Sequence, residues 1–204
     1  MTMSFRQPPI EDARATRIAV DVTFLRLEPP HRPPSVTGSP AAAMLPAGNT
    51  LVRVASPSVP FYRYLYNTVG QNYCWWLRRM APDAEIASLL ADPAIALHVL
   101  YRGGEPAGFF ELDGRDRREV NLGYFGLMPH AIGTGVGPTL LAIAIGLARA
   151  SSPNGAVRVN TCTADHPRAL PTYLRAGFRP VRTVREIWDI PDRLGLPLPD
   201  RLRV

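Results

Sequence analysis

The sequence predicts an α/β (α+β) protein, in which one sheet mixes hairpin-linked strands with strands joined by crossover helices. Three observations point there. Runs of β-forming residues, some with a two-residue alternation, recur along the chain. The turn-rich segment Arg102-Gly103-Gly104-Glu105-Pro106 joins two such runs as a hairpin. Between two later runs lies a helix that is apolar almost all round, which has to be buried against the sheet.

Residues 1–15 are polar and loose. Residues 17–27 alternate Ile18, Val20 and Val22 before continuing apolar, the pattern of a strand. Residues 28–46 carry Pro29, Pro30, Pro33, Pro34, Pro40 and Pro46. So many missing amide donors exclude a helix or a central strand, which leaves a linker or wrapping arm. The strand before it must pack onto the main body or onto a partner subunit. The chain is therefore divided into an N-terminal extension, residues 1–47, and a main domain, residues 48–204. In the main domain, residues 51–55 read as a short strand bounded by Pro57 and Pro60. Residues 61–77 are aromatic-rich and helical, with Gly70 as a point of division. Residues 82–90 open with Pro-Asp-Ala-Glu, a helix entrance with acids in its first turn. Strands follow at 94–101, 107–112 and 118–128, then a helix from Pro138 to about Ser151, a strand at 157–163, and a helix at 167–176 ended by Gly177. Residues 178–190 form one or two final strands.

Composition narrows the partners. The net charge is +6, from 23 basic residues against 17 acidic ones, and every basic residue is Arg. That balance suits a phosphorylated ligand and would also suit nucleic acid. The arginines are scattered, with no basic run interleaved with aromatics, so nucleic acid is not expected; a GC-rich coding sequence also accounts for abundant Arg, Ala and Pro. Cys74 and Cys162 are far apart and outside any metal-ligand spacing, as free thiols in a reducing compartment would be. The longest apolar run, residues 140–150, is too short to span a membrane. Glu11, Asp12 and Arg14 stand where a secretion signal would be apolar. A cytoplasmic location without a membrane partner is expected.

Residues 129–141, PHAIGTGVGPTLL, carry the chemistry. Gly133, Gly135 and Gly137 alternate between a strand and a helix, where residues without a Cβ let the backbone turn sharply and approach a ligand. The first helical turn leaves amides unpaired and its dipole favours an anion, so phosphate or pyrophosphate is the natural occupant. Pro138 suits the first helical position. A tight turn without a ligand is the other reading. The Rossmann fingerprint requires G-x-G-x-x-G, and the Walker loop a Lys that the chain lacks.

With its second half included, this region resembles the GNAT superfamily, the GCN5-related N-acetyltransferases. Their [RQ]-x-x-G-x-[GA] turn has its counterpart in Ile132-Gly133-Thr134-Gly135-Val136-Gly137, with Ile132 at the opening Arg or Gln. Residues 166–178, HPRALPTYLRAGF, resemble the family's N-x-x-A-x-x-x-Y-x-x-x-G-F segment, with His166 in place of Asn. The resemblance covers roughly residues 50–190 on the element order above. It implies a mixed, mostly antiparallel sheet with two splayed parallel strands, here 118–128 and 157–163, and flanking helices. It also implies acetyl-CoA as co-substrate, lying between those strands, and no metal or redox cofactor.

On this resemblance the CoA contacts fall on Leu127, Met128, Ile132, Gly133, Thr134, Gly135, Val136, Gly137, Pro138, His166, Ala169 and Tyr173. Backbone amides hold the pyrophosphate, since Ile132 supplies no polar group. Tyr173 matches the tyrosine that protonates the departing sulfur. Several members use a Glu as general base at the position of Asn121, which cannot serve. Glu119, two residues earlier and on the same strand face unless a bulge intervenes, and Glu111 are the candidates, with a water chain as the alternative. Acceptor contacts fall on Tyr62, Trp75, Trp76, Asn121 and Tyr124. The aromatic stretch could bind an apolar amine or a cation through cation–π contact, and could equally be core or a homodimer interface. The expected activity is N-acetyl transfer to a small-molecule amine by direct attack in a ternary complex. A catalytically weak acyl-CoA sensor or assembly module is the other class.

Overall fold

The chain's first strand turns out to lie inside the sheet. The computed structural model describes residues 14–29, 44–152 and 154–204, so most of the Pro-rich stretch lies outside it. In chain order the elements are β1 (Ala15–Leu27), β2 (Asn49–Val54), α1 (Val59–Gly70), α2 (Leu77–Met80), α3 (Asp83–Ala91), β3 (Ile95–Arg102), β4 (Glu105–Asp113), β5 (Val120–Leu127), α4 (Val136–Ser151), β6 (Val157–Cys162), α5 (Ala169–Arg175) and β7 (Arg179–Pro191). The sheet has seven strands in the order β2-β3-β4-β5-β6-β1-β7. All neighbours are antiparallel except β5 and β6. Ala15–Leu27 thus packs onto the main body, between β6 and the single final strand β7.

The two faces of the sheet carry separate cores. On one, α4 buries Leu140, Leu141 and Ala144 against Leu122, Val157, Val159, Leu25 and Leu27. The other is covered by α1 and α3 over β3 to β5, and by the 74–80 segment and residues 194–202 over β1. In β1 the alternation sends Ile18, Val20 and Val22 to this second face and Leu25 and Leu27 to the first, as period two requires.

The aromatic stretch is less helical than its composition suggests. Ser58 accepts from the Phe61 amide as N-cap of α1, and Pro60 sits in the first turn. The helix then ends at Gly70, because Trp75 folds back onto it: a Cβ there would lie 2.3 Å from the Trp75 Cβ. Tyr73, Trp75 and Trp76 therefore stand outside helices, on the connection between α1 and α2. The second adjustment concerns α4, which begins at Val136 with Gly135 as N-cap. Pro138 is the third helical residue, not the first, and its missing donor still costs nothing there.

Candidate active site

Strands β5 and β6 pair only at Val120–Val157 and Asn121–Arg158. Beyond that point they separate, and a bulge in β5 accompanies the parting. Leu112 opposes Leu122 while Glu111 opposes Tyr124, so Gly123 is the extra residue. The bulge reverses the alternation. Val120 and Leu122 face α4, as do Phe125 and Leu127, whereas Tyr124 packs on the α1 side. The split opens a cleft of about 950 Å³.

At one end of the cleft is the glycine turn. Gly133 and Gly135 have φ of 82° and 83°, the left-handed region that L side chains rarely adopt, and a Cβ built on either would meet nothing within 4 Å. Among the described residues their amides reach no backbone acceptor. The amides of Val136 and Gly137 belong to the first turn of α4, where no i−4 carbonyl exists. Four N–H groups without a backbone acceptor thus gather at the electropositive start of α4, beside the cleft that Gly133, Gly135 and Gly137 line, an arrangement suited to an anion. Thr134 instead closes the turn, its hydroxyl donating to the Ala131 carbonyl at 2.8 Å, and the Val136 side chain is buried in the core.

Ile132, Pro138, His166, Ala169 and Leu127 line the cleft. Met128 does not; it is buried and donates its amide to the Ala107 carbonyl of β4 at 2.9 Å. Since successive amides of a strand point to opposite edges, that bond directs the Leu127 N–H into the cleft. His166 accepts at Nδ1 from the Arg168 amide at 3.0 Å, and its ring meets Tyr73 edge-on at 5.8 Å. Tyr173 is 6% exposed, with Phe125 and Phe178 rings around it at 6.3 and 5.8 Å. Burial, and then the charge of Asp165, raise its phenol above the ordinary range.

The two glutamates proposed as bases are both engaged. Glu111 is 1% exposed and receives both terminal nitrogens of Arg78, at 2.8 and 3.1 Å, and the Tyr62 hydroxyl at 2.9 Å. Arg78 also donates to the Tyr62 oxygen and lies 4.8 Å from the Tyr124 ring centroid. This cluster locks α1 and α2 onto β4. Glu119 accepts from Arg26 Nε at 2.9 Å and from Arg158 at 3.3 Å. The acceptor-side residues divide as well. Asn121, Tyr124, Trp75 and Trp76 line the cleft, although Trp76 is 1% exposed and packs in the core beneath β1. Tyr62 is fully buried and stays out of the lining, holding Glu111 instead.

Sequence reasoning missed several residues here. Phe24 and Arg26 of β1, Glu186 and Trp188 of β7, and Asp165 all line the cleft. Asp165 accepts from the Thr161 hydroxyl at 2.7 Å, the Cys162 amide at 2.9 Å and Trp75 Nε1 at 3.3 Å. Burial raises its carboxyl, with the Thr161 and Cys162 hydrogen bonds opposing. One signal was available: an acid just past the carboxyl end of a parallel strand stands where open sheets place ligands. The β1 and β7 residues had none, since nothing local says that two strands some 160 residues apart will pair.

The fold is a seven-stranded, mostly antiparallel sheet whose one parallel pair parts to open a cleft. The model of the Acetyltransferase (GNAT) family matches residues 58–178, more than half of the chain, and the protein belongs to that family. Among solved structures, the chain is similar to a GCN5-related N-acetyltransferase from Sphaerobacter thermophilus, with a TM-score of 0.60 and 18% identity over 87% of this chain and 53% of that one. A counterpart from Kribbella flavida gives a TM-score of 0.53 and 17% identity, over 86% of this chain and 60% of that one. A tandem GNAT protein from the clavulanic acid biosynthesis pathway gives 0.52 and 19%, over 86% and 55%. The chain thus spans little more than half the length of these structures. A search among curated proteins gives no match. Among the described residues no helix is long and apolar enough to cross a membrane.

Proposed function

We propose that the protein transfers an acetyl group from acetyl-CoA to a primary amine of a small molecule, by direct attack within a ternary complex. The observation that carries this reading is the parting of β5 and β6 beside an open turn of free amides. The amides of Gly133, Gly135, Val136 and Gly137 hold the pyrophosphate, leaving Ile132 an apolar contact. The Leu127 N–H polarises the thioester carbonyl as negative charge develops on its oxygen. Tyr173, whose phenol is protonated at neutral pH, protonates the departing sulfur. Direct attack, rather than an acyl-enzyme, agrees with the cysteines. The reactive form of a cysteine is the thiolate, and burial followed by the Asp165 charge raises the thiols of both Cys74 and Cys162.

The test is Tyr173→Phe. Turnover, read as thiol release over a panel of amines, should fall by roughly 10²–10⁴-fold while acetyl-CoA affinity by calorimetry stays put. An unchanged rate would remove Tyr173 as the acid. Tight CoA binding by the wild type without turnover on any amine would favour a sensor instead.

A further inference from the structure

Five carboxylates line the cleft: Glu111, Asp113, Glu119, Asp165 and Glu186. Arginine neutralises three of them, with Arg78 on Glu111, Arg115 on Asp113, and Arg26 with Arg158 on Glu119. Among the described residues, Asp165 and Glu186 accept only from uncharged donors. Glu186 lies on the outermost strand, opposite Val20 of β1, and accepts from Trp188 Nε1 at 2.8 Å. Asp165 lines the cleft from the segment that leads from β6 into α5. A carboxylate offers about four acceptor sites, and three donors hold Asp165, two of them on Oδ2. Oδ1 carries only the longest of these bonds, from Trp75.

Resting on the acyl-transfer reading, we propose that Asp165 receives the ammonium group of the acceptor and takes its proton, so that the preferred acceptor is a cationic primary amine whose carbon chain lies against Tyr73 and Trp75. The reason is electrostatic. An alkylammonium leaving water needs an opposite charge, and a carboxylate already matched to Arg has no net charge to give. Asp165 has one. Its neighbours Tyr73 and Trp75 present apolar ring surface to the carbon atoms that follow. The raised affinity of its carboxyl for a proton adds to its strength as a base.

The step balances as follows. One ammonium proton passes to Asp165 Oδ1, and the freed nitrogen pair attacks the thioester carbon. The C–N bond forms, and the C–S bond breaks with its electron pair on sulfur. Sulfur takes the Tyr173 proton, the tyrosinate recovers the second proton of the attacking nitrogen, and Asp165 releases its own to water. The products are the amide and CoA thiol.

Asp165→Asn is compared with wild type on butylamine and on hydroxylamine, a nucleophile that is uncharged at pH 8. We expect kcat/KM for butylamine to fall by roughly 10²–10³-fold, that for hydroxylamine by less than about tenfold, and acetyl-CoA affinity to hold. Asp165→Glu should recover part of the loss. Equal losses on both nucleophiles, or none on butylamine, would overturn the proposal. Calorimetric titration of the CoA-loaded protein with butylamine decides the same point without turnover. A weakening of about tenfold or more in Asp165→Asn supports the ammonium site, and equal binding overturns it. Wild type that binds butylamine through Asp165 but never acetylates it would refute the acyl-transfer reading alone.

Discussion

Replacing Glu111 by Gln separates a structural carboxylate from a catalytic one. The change removes the negative charge and keeps the shape. Both partners are deeply buried, with side chains 2% exposed for Glu111 and 6% for Arg78. Arg78 remains charged in any ordinary buffer, so the variant holds a buried guanidinium opposite a neutral amide. Breaking such a pair from one side costs about 3–5 kcal/mol. For a chain of this size each kcal/mol moves the melting temperature by roughly 2–4 °C, so a drop of some 6–20 °C follows. Differential scanning calorimetry and urea unfolding measure it. The triple change Tyr62→Phe, Arg78→Met and Glu111→Leu removes the whole polar cluster, and most of the lost stability should return. Turnover of Glu111→Gln, assayed well below its melting point, should stay within about tenfold of wild type. A variant that melts like wild type but is catalytically dead would refute this reasoning and restore Glu111 as the base.

Two further predictions concern other parts of the molecule. Gly135→Ala places a Cβ where the protein itself has nothing within 4 Å, so its folding cost is confined to the left-handed backbone, about 1–2 kcal/mol; acetyl-CoA affinity measured on the folded variant should fall at least about tenfold, and full affinity would move the pyrophosphate elsewhere. His98 is 7% exposed and stacked on Phe110, and burial, with Arg53 assisting, pushes its pKa down to about 4. The unfolded chain binds this proton near 6.5 and the folded one only near 4, so stability falls as pH drops through that window. Wild type should lose about 2 kcal/mol more than His98→Phe between pH 7.5 and 5 in urea titrations, and parallel pH profiles would contradict the assignment.

What was legible in the sequence, and what was not, follows the range of the interactions involved. The glycine turn was readable because its requirement is local: positive φ at Gly133 and Gly135 is a property of single residues. The hairpin at Gly103-Gly104 and the buried helix after Pro138 were readable for the same reason. The start of α4 moved two residues earlier because Gly135, not a polar side chain, supplies the cap. Trp75 and Trp76 were assigned to a helix with the rest of the aromatic-rich stretch, but Trp75 packs on Gly70, a contact that composition does not show. The engagement of Glu111 and Glu119 by Arg78 and Arg26 was hidden for a different reason, since both partners come from distant elements. Asp165 went unnoticed beside the more familiar pattern that begins at His166.

The placement of β1 between β6 and β7 governs the order in which the protein can be made. About 130 residues separate Leu27 from Val157, and at ribosomal rates the strand waits roughly 6 to 26 s for its first partner to be synthesised. During that interval Ile18, Val20 and Val22 have no sheet to join, a β-prone segment exposed to other chains. Both ladders of β1 are also among the most non-local contacts a chain of this length can form, which slows the final closure. The wall of the cleft that carries Phe24 and Arg26 is therefore completed last. Catalytic competence should appear only with that closure, after the glycine turn and its helix have already taken shape.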